Sequence, residues 1–142
     1  MDADGYVRVE MELVHSRDAV MGFLSDADKT MRLGTDITDV KTAPDGPCAK
    51  MTVTSRGLAG TMRYVARRCP TANGWRSTML ESDDFKSHDI EWLVAPSGQG
   101  TRVTMRVRVV PRLPVPQMLI RRVVGGALSA TLKRLDTLLR GG

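Results

Sequence analysis

Residues 111–140, PRLPVPQMLIRRVVGGALSATLKRLDTLLR, decide how the rest of the chain must be read. Pro111, Pro114 and Pro116 crowd the start, and no proline follows before Gly141. Met118, Gly125, Leu128, Leu132, Leu135 and Leu139 recur at spacings of three, four and seven, which at helical pitch puts them on one face. Arg121, Arg122, Lys133, Arg134 and Arg140 fall mostly off that stripe, and Gly141 is a natural stop. The spacing predicts a long amphipathic helix. Such a helix needs a surface on which to bury its stripe, and everything before it reads as that surface.

Working back from the helix, residues 101–109 alternate most cleanly, with Val103, Met105, Val107 and Val109 opposing Arg102, Arg106 and Arg108. Residues 85–94 put His88, Ile90, Trp92 and Val94 on one side and Ser87, Asp89 and Glu91 on the other. Residues 75–81 follow Asn73-Gly74, the strongest hairpin signal in the chain. In 61–69, Met62, Tyr64 and Ala66 face one way and Arg63 and Arg67 the other, after a turn bracketed by Gly57 and Gly60. Residues 48–55 carry Met51 and Val53 inward, and 37–41 form a weak strand before the turn Pro44-Asp45-Gly46-Pro47. Before these come two short helices. One is capped by Ser16 and runs to about Leu24; the other restarts at Ser25 or Asp26 and ends at Gly34. The first strand, 6–15, alternates Val7, Val9, Met11 and Leu13 against Arg8, Glu10 and Glu12. Successive hairpins require an antiparallel sheet, of about seven strands, and its apolar face must lie under the helix.

The 142 residues suit one domain, 1–142, with no internal repeat or linker. Aromatic residues make up 4% while there are 9 Met, a balance that favours a lined cavity over an interlocked core, against the alternative of methionine as plain filler. Net charge is +5, suited to phosphates, acidic lipid headgroups or an acidic partner. The basic residues are spread out and match no nucleic-acid reading module, so nucleic acid is not an expected partner. Cys48 and Cys69 have no CxxC and no neighbouring His, so no metal is expected and reduced thiols in the cytoplasm are. No basic, apolar leader opens the chain, and no stretch approaches a membrane span. A soluble, cytoplasmic protein is expected.

The order of elements resembles the helix-grip fold of the START/Bet v 1-like (SRPBCC) superfamily, especially its polyketide cyclase/dehydrase and lipid-transport members. The resemblance rests on the opening strand and helices (7–33), the hairpins (48–109) and the proline-led helix (111–139). It covers nearly the whole chain, without a tight catalytic signature. It implies an α+β fold with a hydrophobic cavity between a curved sheet and the helix; no cofactor is expected. Beside it stands a physical argument. A curved sheet touches a straight helix along a limited line, and Gly125-Gly126 mid-helix implies either close approach to the sheet or a hinge.

The candidate ligand-binding residues follow from strand parity. Met62, Tyr64, His88, Ile90, Trp92, Met105 and Val107 share the apolar face. Met51, Met79 and Met118 are further lining groups, and Arg122 stands at the helix start. His88 is a hydrogen-bonding partner or base, or else a structural histidine. Tyr64 offers a hydroxyl to a ligand oxygen, or is a core ring. Trp92 stacks a flat ligand, or packs the core. No GxSxG or phosphate-binding loop occurs, and Asp83, Asp84, Asp36 and Asp39 read as solvated. No catalytic residue is assigned.

Three functions remain open: a binder or transporter of a lipid, isoprenoid quinone or polyketide-like compound; an aromatase/cyclase using the same cavity; and an interaction module using Arg63, Arg67, Arg102, Arg106 and Arg108. Cross-strand pairing with Glu10, Glu12 and Glu91 is the plainer role for those arginines. Partners besides a small hydrophobic ligand are a homodimer and a transient anionic membrane surface, the latter touching Leu113, Val115, Met118, Leu119 and Ile120 among Arg112, Arg121 and Arg122.

Overall fold

A computed structural model describes residues 4–57 and 60–141. The opening residues 1–3, and the two central residues of the turn expected between Gly57 and Gly60, lie outside the described set. The elements are β1 (Val7–Leu13), α1 (Arg17–Leu24), α2 (Ala27–Met31), β2 (Ile37–Asp45), β3 (Cys48–Gly57), β4 (Gly60–Thr71), β5 (Gly74–Glu81), β6 (Phe85–Ser97), β7 (Gly100–Pro111) and α3 (Gln117–Leu139). All strands join one curved antiparallel sheet in the order β1-β7-β6-β5-β4-β3-β2. This is the expected helix-grip arrangement. The first strand pairs with the last, so the two short helices bridge from one sheet edge to the other.

The early helices form where capping residues stand. The Ser16 side chain accepts from the Ala19 amide at 3.1 Å and the Asp26 side chain from the Lys29 amide at 2.9 Å, each satisfying a donor the helix leaves open. Val20 and Leu24 of α1 are fully buried. The α1 C-terminus meets a residue the parity reading passed over. After Met62, Tyr64 and Ala66, the next inward position on β4 is Arg68, which is buried and donates to the Leu24 carbonyl. Its guanidinium lies 4.8 Å from the Trp75 ring centroid. Burial pulls its pKa down to about 10, partly offset by Asp26. It stays charged at neutral pH, where a cation at a helix C-terminus is favourable.

Ile120, Leu128, Leu132 and Leu135 of α3 are buried, and the helix packs chiefly against β1. His15 Nε2 lies 3.0 Å from Asp136 Oδ1, fastening the far end of α3 to the chain just after β1. The chain leaves the helix through Gly141 at φ +86°, a left-handed conformation that favours glycine.

Four of the five arginines expected on the outer sheet face, all but Arg63, pair with carboxylates. Arg67 meets Asp45 at 2.8 Å, Arg102 meets Glu12 at 2.7 Å, Arg106 meets Glu91 at 2.9 Å and Arg108 meets Asp89 at 2.9 Å. The exposed Arg67–Asp45 and Arg102–Glu12 pairs contribute little stability, but the four together leave few free cations there for an acidic partner.

One expectation is corrected. Cys48 and Cys69 are not free thiols. Extending the β3–β4 register places them opposite each other, and they form a disulfide with Cα atoms 4.3 Å apart. The hairpin expected at Asn73-Gly74 joins β4 to β5, with Gly74 as the first residue of β5. Gly74 pairs with Thr71, and a Cβ there would stand 1.9 Å from the Trp92 carbonyl oxygen. Glycine is required by the close approach of β6.

Candidate functional site: a cavity beneath the C-terminal helix

The inner sheet face and α3 do not meet along their whole length. Between them lies a cavity of about 490 Å3, inside the range of roughly 300–1,000 Å3 usual for small-molecule sites. Its floor is the alternating apolar face: Met62 and Tyr64 from β4, His88, Ile90 and Trp92 from β6, and Met105, Val107 and Val109 from β7. Val124, Ala127, Leu128 and Thr131 of α3 form the roof, and Met31, Gly34 and Asp36 close one end. Leu119, Val123, Asp36 and Arg56 line the cavity and are themselves exposed. The cavity therefore reaches the surface between the first turns of α3 and the edge of β2 and β3.

A ring cluster occupies the deep wall. Tyr64 and His88 stack with centroids 3.9 Å apart and planes 20° from parallel. Phe85 meets both edge-on, at 5.9 Å from Tyr64 and 4.9 Å from His88. Strict alternation would turn Phe85 away from His88. The register shift between Phe85 and Ser87 inserts one extra residue, and that bulge brings both rings inward.

Two polar atoms of this cluster have no hydrogen-bond partner among the described residues. The Tyr64 hydroxyl and His88 Nδ1 are buried and unbonded among the described residues; Ser77 Oγ is a third such atom, outside the cavity lining. Burial, and then the charge of Asp36, pushes the Tyr64 pKa up, so the phenol keeps its proton. The His88 ring borders the empty space, yet it lies deep beneath the surface, and that depth pulls its pKa down to about 4. At neutral pH it is an uncharged imidazole. The wall thus presents two neutral hydrogen-bonding groups in an apolar setting, where an unmatched polar atom is costly.

Of the residues expected from parity, Met62, Tyr64, His88, Ile90, Trp92, Met105 and Val107 line the cavity. Four do not. Met51 is fully buried in a row with Ala66 and Met79 across β3, β4 and β5, a row that packs the core. Met118 is 77% exposed and Arg122 is exposed, because the first turn of α3 presents them outward. Sequence reasoning missed Phe85, for want of the bulge, the buried lining residue Ser55, and the rim residues Asp36 and Arg56. Asp36, read as a plain solvated carboxylate, is carried to the rim by the α2–β2 connection. No group of side chains among the described residues has metal-binding geometry, and no described helix is long and apolar enough to cross a membrane.

Comparison with known proteins gives the same architecture. A protein of Thermus thermophilus superposes with a TM-score of 0.84 at 17% identity, covering 96% of this chain and 97% of that one. The Zhui aromatase/cyclase of a Streptomyces species superposes at 0.80 with 14% identity, covering 95% and 93%. A STAR-related lipid transfer protein of Xanthomonas axonopodis superposes at 0.71 with 18% identity, covering 99% and 96%. At these identities the likeness is one of fold. A search of curated proteins finds no significant match. The family profile described as polyketide cyclase/dehydrase and lipid transport matches residues 6–140. The chain belongs to that family.

Proposed function

We propose that this protein binds a small, largely apolar molecule carrying one neutral oxygen function, such as a hydroxyl or carbonyl. The observation that carries this reading is the pairing of a cavity of about 490 Å3 with the unpartnered Tyr64 hydroxyl and His88 Nδ1 in its deep wall. Apolar burial supplies most of the affinity at about 25 cal/mol per Å2, and the two polar atoms orient the ligand. Met62, Ile90, Trp92, Met105 and Val107 are the apolar contacts. A lipid, an isoprenoid quinone and a polyketide-like compound all meet this description. The family description and the names of the solved neighbours agree with that range.

The aromatase/cyclase reading uses the same cavity, but the site's proton chemistry favours binding. A general base works best with a pKa near the operating pH. His88 at about 4 is a weak base and is not, at neutral pH, the imidazolium that a general acid requires, and Tyr64 is pushed away from ionisation. Both groups suit fixed hydrogen bonds better than proton transfer.

Native mass spectrometry of protein purified from its host tests this reading. The expected result is a co-purified apolar compound that is lost in Ala127→Phe, which fills the roof of the cavity. A protein recovered empty, with no uptake of lipid, quinone or polyketide extracts, would overturn it. The same preparation reports the compartment, since a cytoplasmic protein would hold Cys48 and Cys69 reduced.

A further inference from the structure

The proline segment and the first turns of α3 carry apolar side chains that the core leaves exposed. Leu113, Met118, Leu119 and Val123 are 60%, 77%, 45% and 43% exposed. At about 100° per residue, Met118, Arg122, Leu119 and Val123 fall in that order within an arc of about 140°. That arc runs from the outermost face of the helix round to the cavity mouth, which Leu119 and Val123 also line. Arg112, Arg121 and Arg122 stand exposed beside these apolar groups. The Arg112 side chain donates only to the Ser82 carbonyl, and none of the three side chains meets a carboxylate among the described residues. The sequence explains why: residues 92–135 contain no Asp or Glu. On the outer sheet face, by contrast, Arg67, Arg102, Arg106 and Arg108 are each paired with a carboxylate.

We propose that residues 111–123 are a docking surface for an anionic lipid bilayer. Apolar side chains standing on a convex helix face, with guanidinium groups beside them, match the two layers of a membrane interface. Leucine, methionine and valine enter the acyl boundary while arginines stay among the phosphates. A second copy of the chain fits less well. Two-fold apposition would set the same arginines against each other, with no carboxylate in 92–135 to receive them. An acidic protein surface would satisfy the charges but leaves four protruding apolar groups unexplained. The surface is read from exposed side chains and stands whatever the cavity holds. If the function proposed above also holds, the patch places the cavity mouth against the bilayer.

The test is co-sedimentation of the purified protein with phosphatidylcholine vesicles, with and without a third of phosphatidylglycerol. No cavity ligand is needed, so failure here is distinct from failure of the ligand-binding reading. Binding is expected only to the anionic vesicles and should weaken with salt. Arg121→Gln/Arg122→Gln should lower the partition coefficient about 30-fold, from roughly 1 kcal/mol per cation. Met118→Ser/Leu119→Ser should lower it at least about tenfold, with the melting temperature unchanged in both variants. Equal binding to neutral vesicles, or no effect of either variant, would overturn the proposal. So would a dimer in sedimentation velocity that Met118→Ser/Leu119→Ser dissolves, or polyglutamate binding that this variant leaves intact.

Discussion

Replacing Tyr64 by phenylalanine removes one hydroxyl from a side chain that is 2% exposed. The ring keeps its edge contact with Phe85 and its stack on His88, so no cavity-creation cost arises. The hydroxyl has no partner among the described residues, and a buried unsatisfied hydroxyl costs about 1–3 kcal/mol. The lower figure applies, because the neighbouring cavity has room for solvent. Tyr64→Phe should therefore stabilise the empty protein by about 1 kcal/mol, raising its melting temperature by about 2–4 °C. Ligand binding should move the other way. Loss of one hydrogen bond, about 0.5–1.5 kcal/mol, weakens affinity roughly 2–12-fold. Thermal melts of the empty protein and calorimetric titration of the ligand recovered by mass spectrometry measure the two effects separately. A Phe variant destabilised by more than about 1 kcal/mol would mean that the hydroxyl has a partner inside the fold. Unchanged affinity would mean that the ligand does not use it. Either result refutes the reasoning.

Other outcomes follow from the same geometry. The unfolded chain protonates His88 near 6.5 while the folded chain waits until about 4. The unfolded state then holds more protons across that window, so stability falls as pH drops through it, by about 1.4 kcal/mol per unit at most. Urea midpoints of the natural protein and His88→Gln should diverge there, and parallel curves would show that His88 protonates normally when folded. An added Cβ at Gly126 meets nothing within 4 Å, and one at Gly125 makes only an ordinary contact with Val7 at 3.9 Å. Gly126→Ala should stabilise by about 1 kcal/mol in urea melts; slower ligand release in that variant would favour a hinge at this point. Leu132→Ala, at a fully buried position, should cost about 2–5 kcal/mol in the same assay, and a smaller loss would show that α3 is weakly docked. The Cys48–Cys69 bridge closes a loop with a sequence separation of 21, so reduction should lower stability by about 3 kcal/mol. A melt indifferent to reductant would show the pair unbridged.

Strand parity and helical spacing located most of the cavity floor because both are properties of the backbone. Side chains two apart on a strand must share a face, so His88, Ile90 and Trp92 were recognisable together, as were Met105 and Val107. The buried stripe Leu128, Leu132 and Leu135 was legible for the matching reason at a period of 3.6. Parity says which face a residue takes, but not how far along that face the helix touches down. Met51 and Met79 were therefore assigned to the cavity although their row lies under tight packing, and Met118 was placed on the stripe although the first turn of α3 points it outward.

What depended on the folded chain arises where distant segments meet. The bulge at Phe85/Ser87 shifts one ring by one register step. The connection from α2 to β2 carries Asp36 to the rim, and the pairing of β3 with β4 sets Cys48 against Cys69. Local periodicity repeats along the chain and can be read from it. Register, depth and the gap between two packed layers are set by contacts between residues far apart in sequence, and these exist only once the chain has closed on itself.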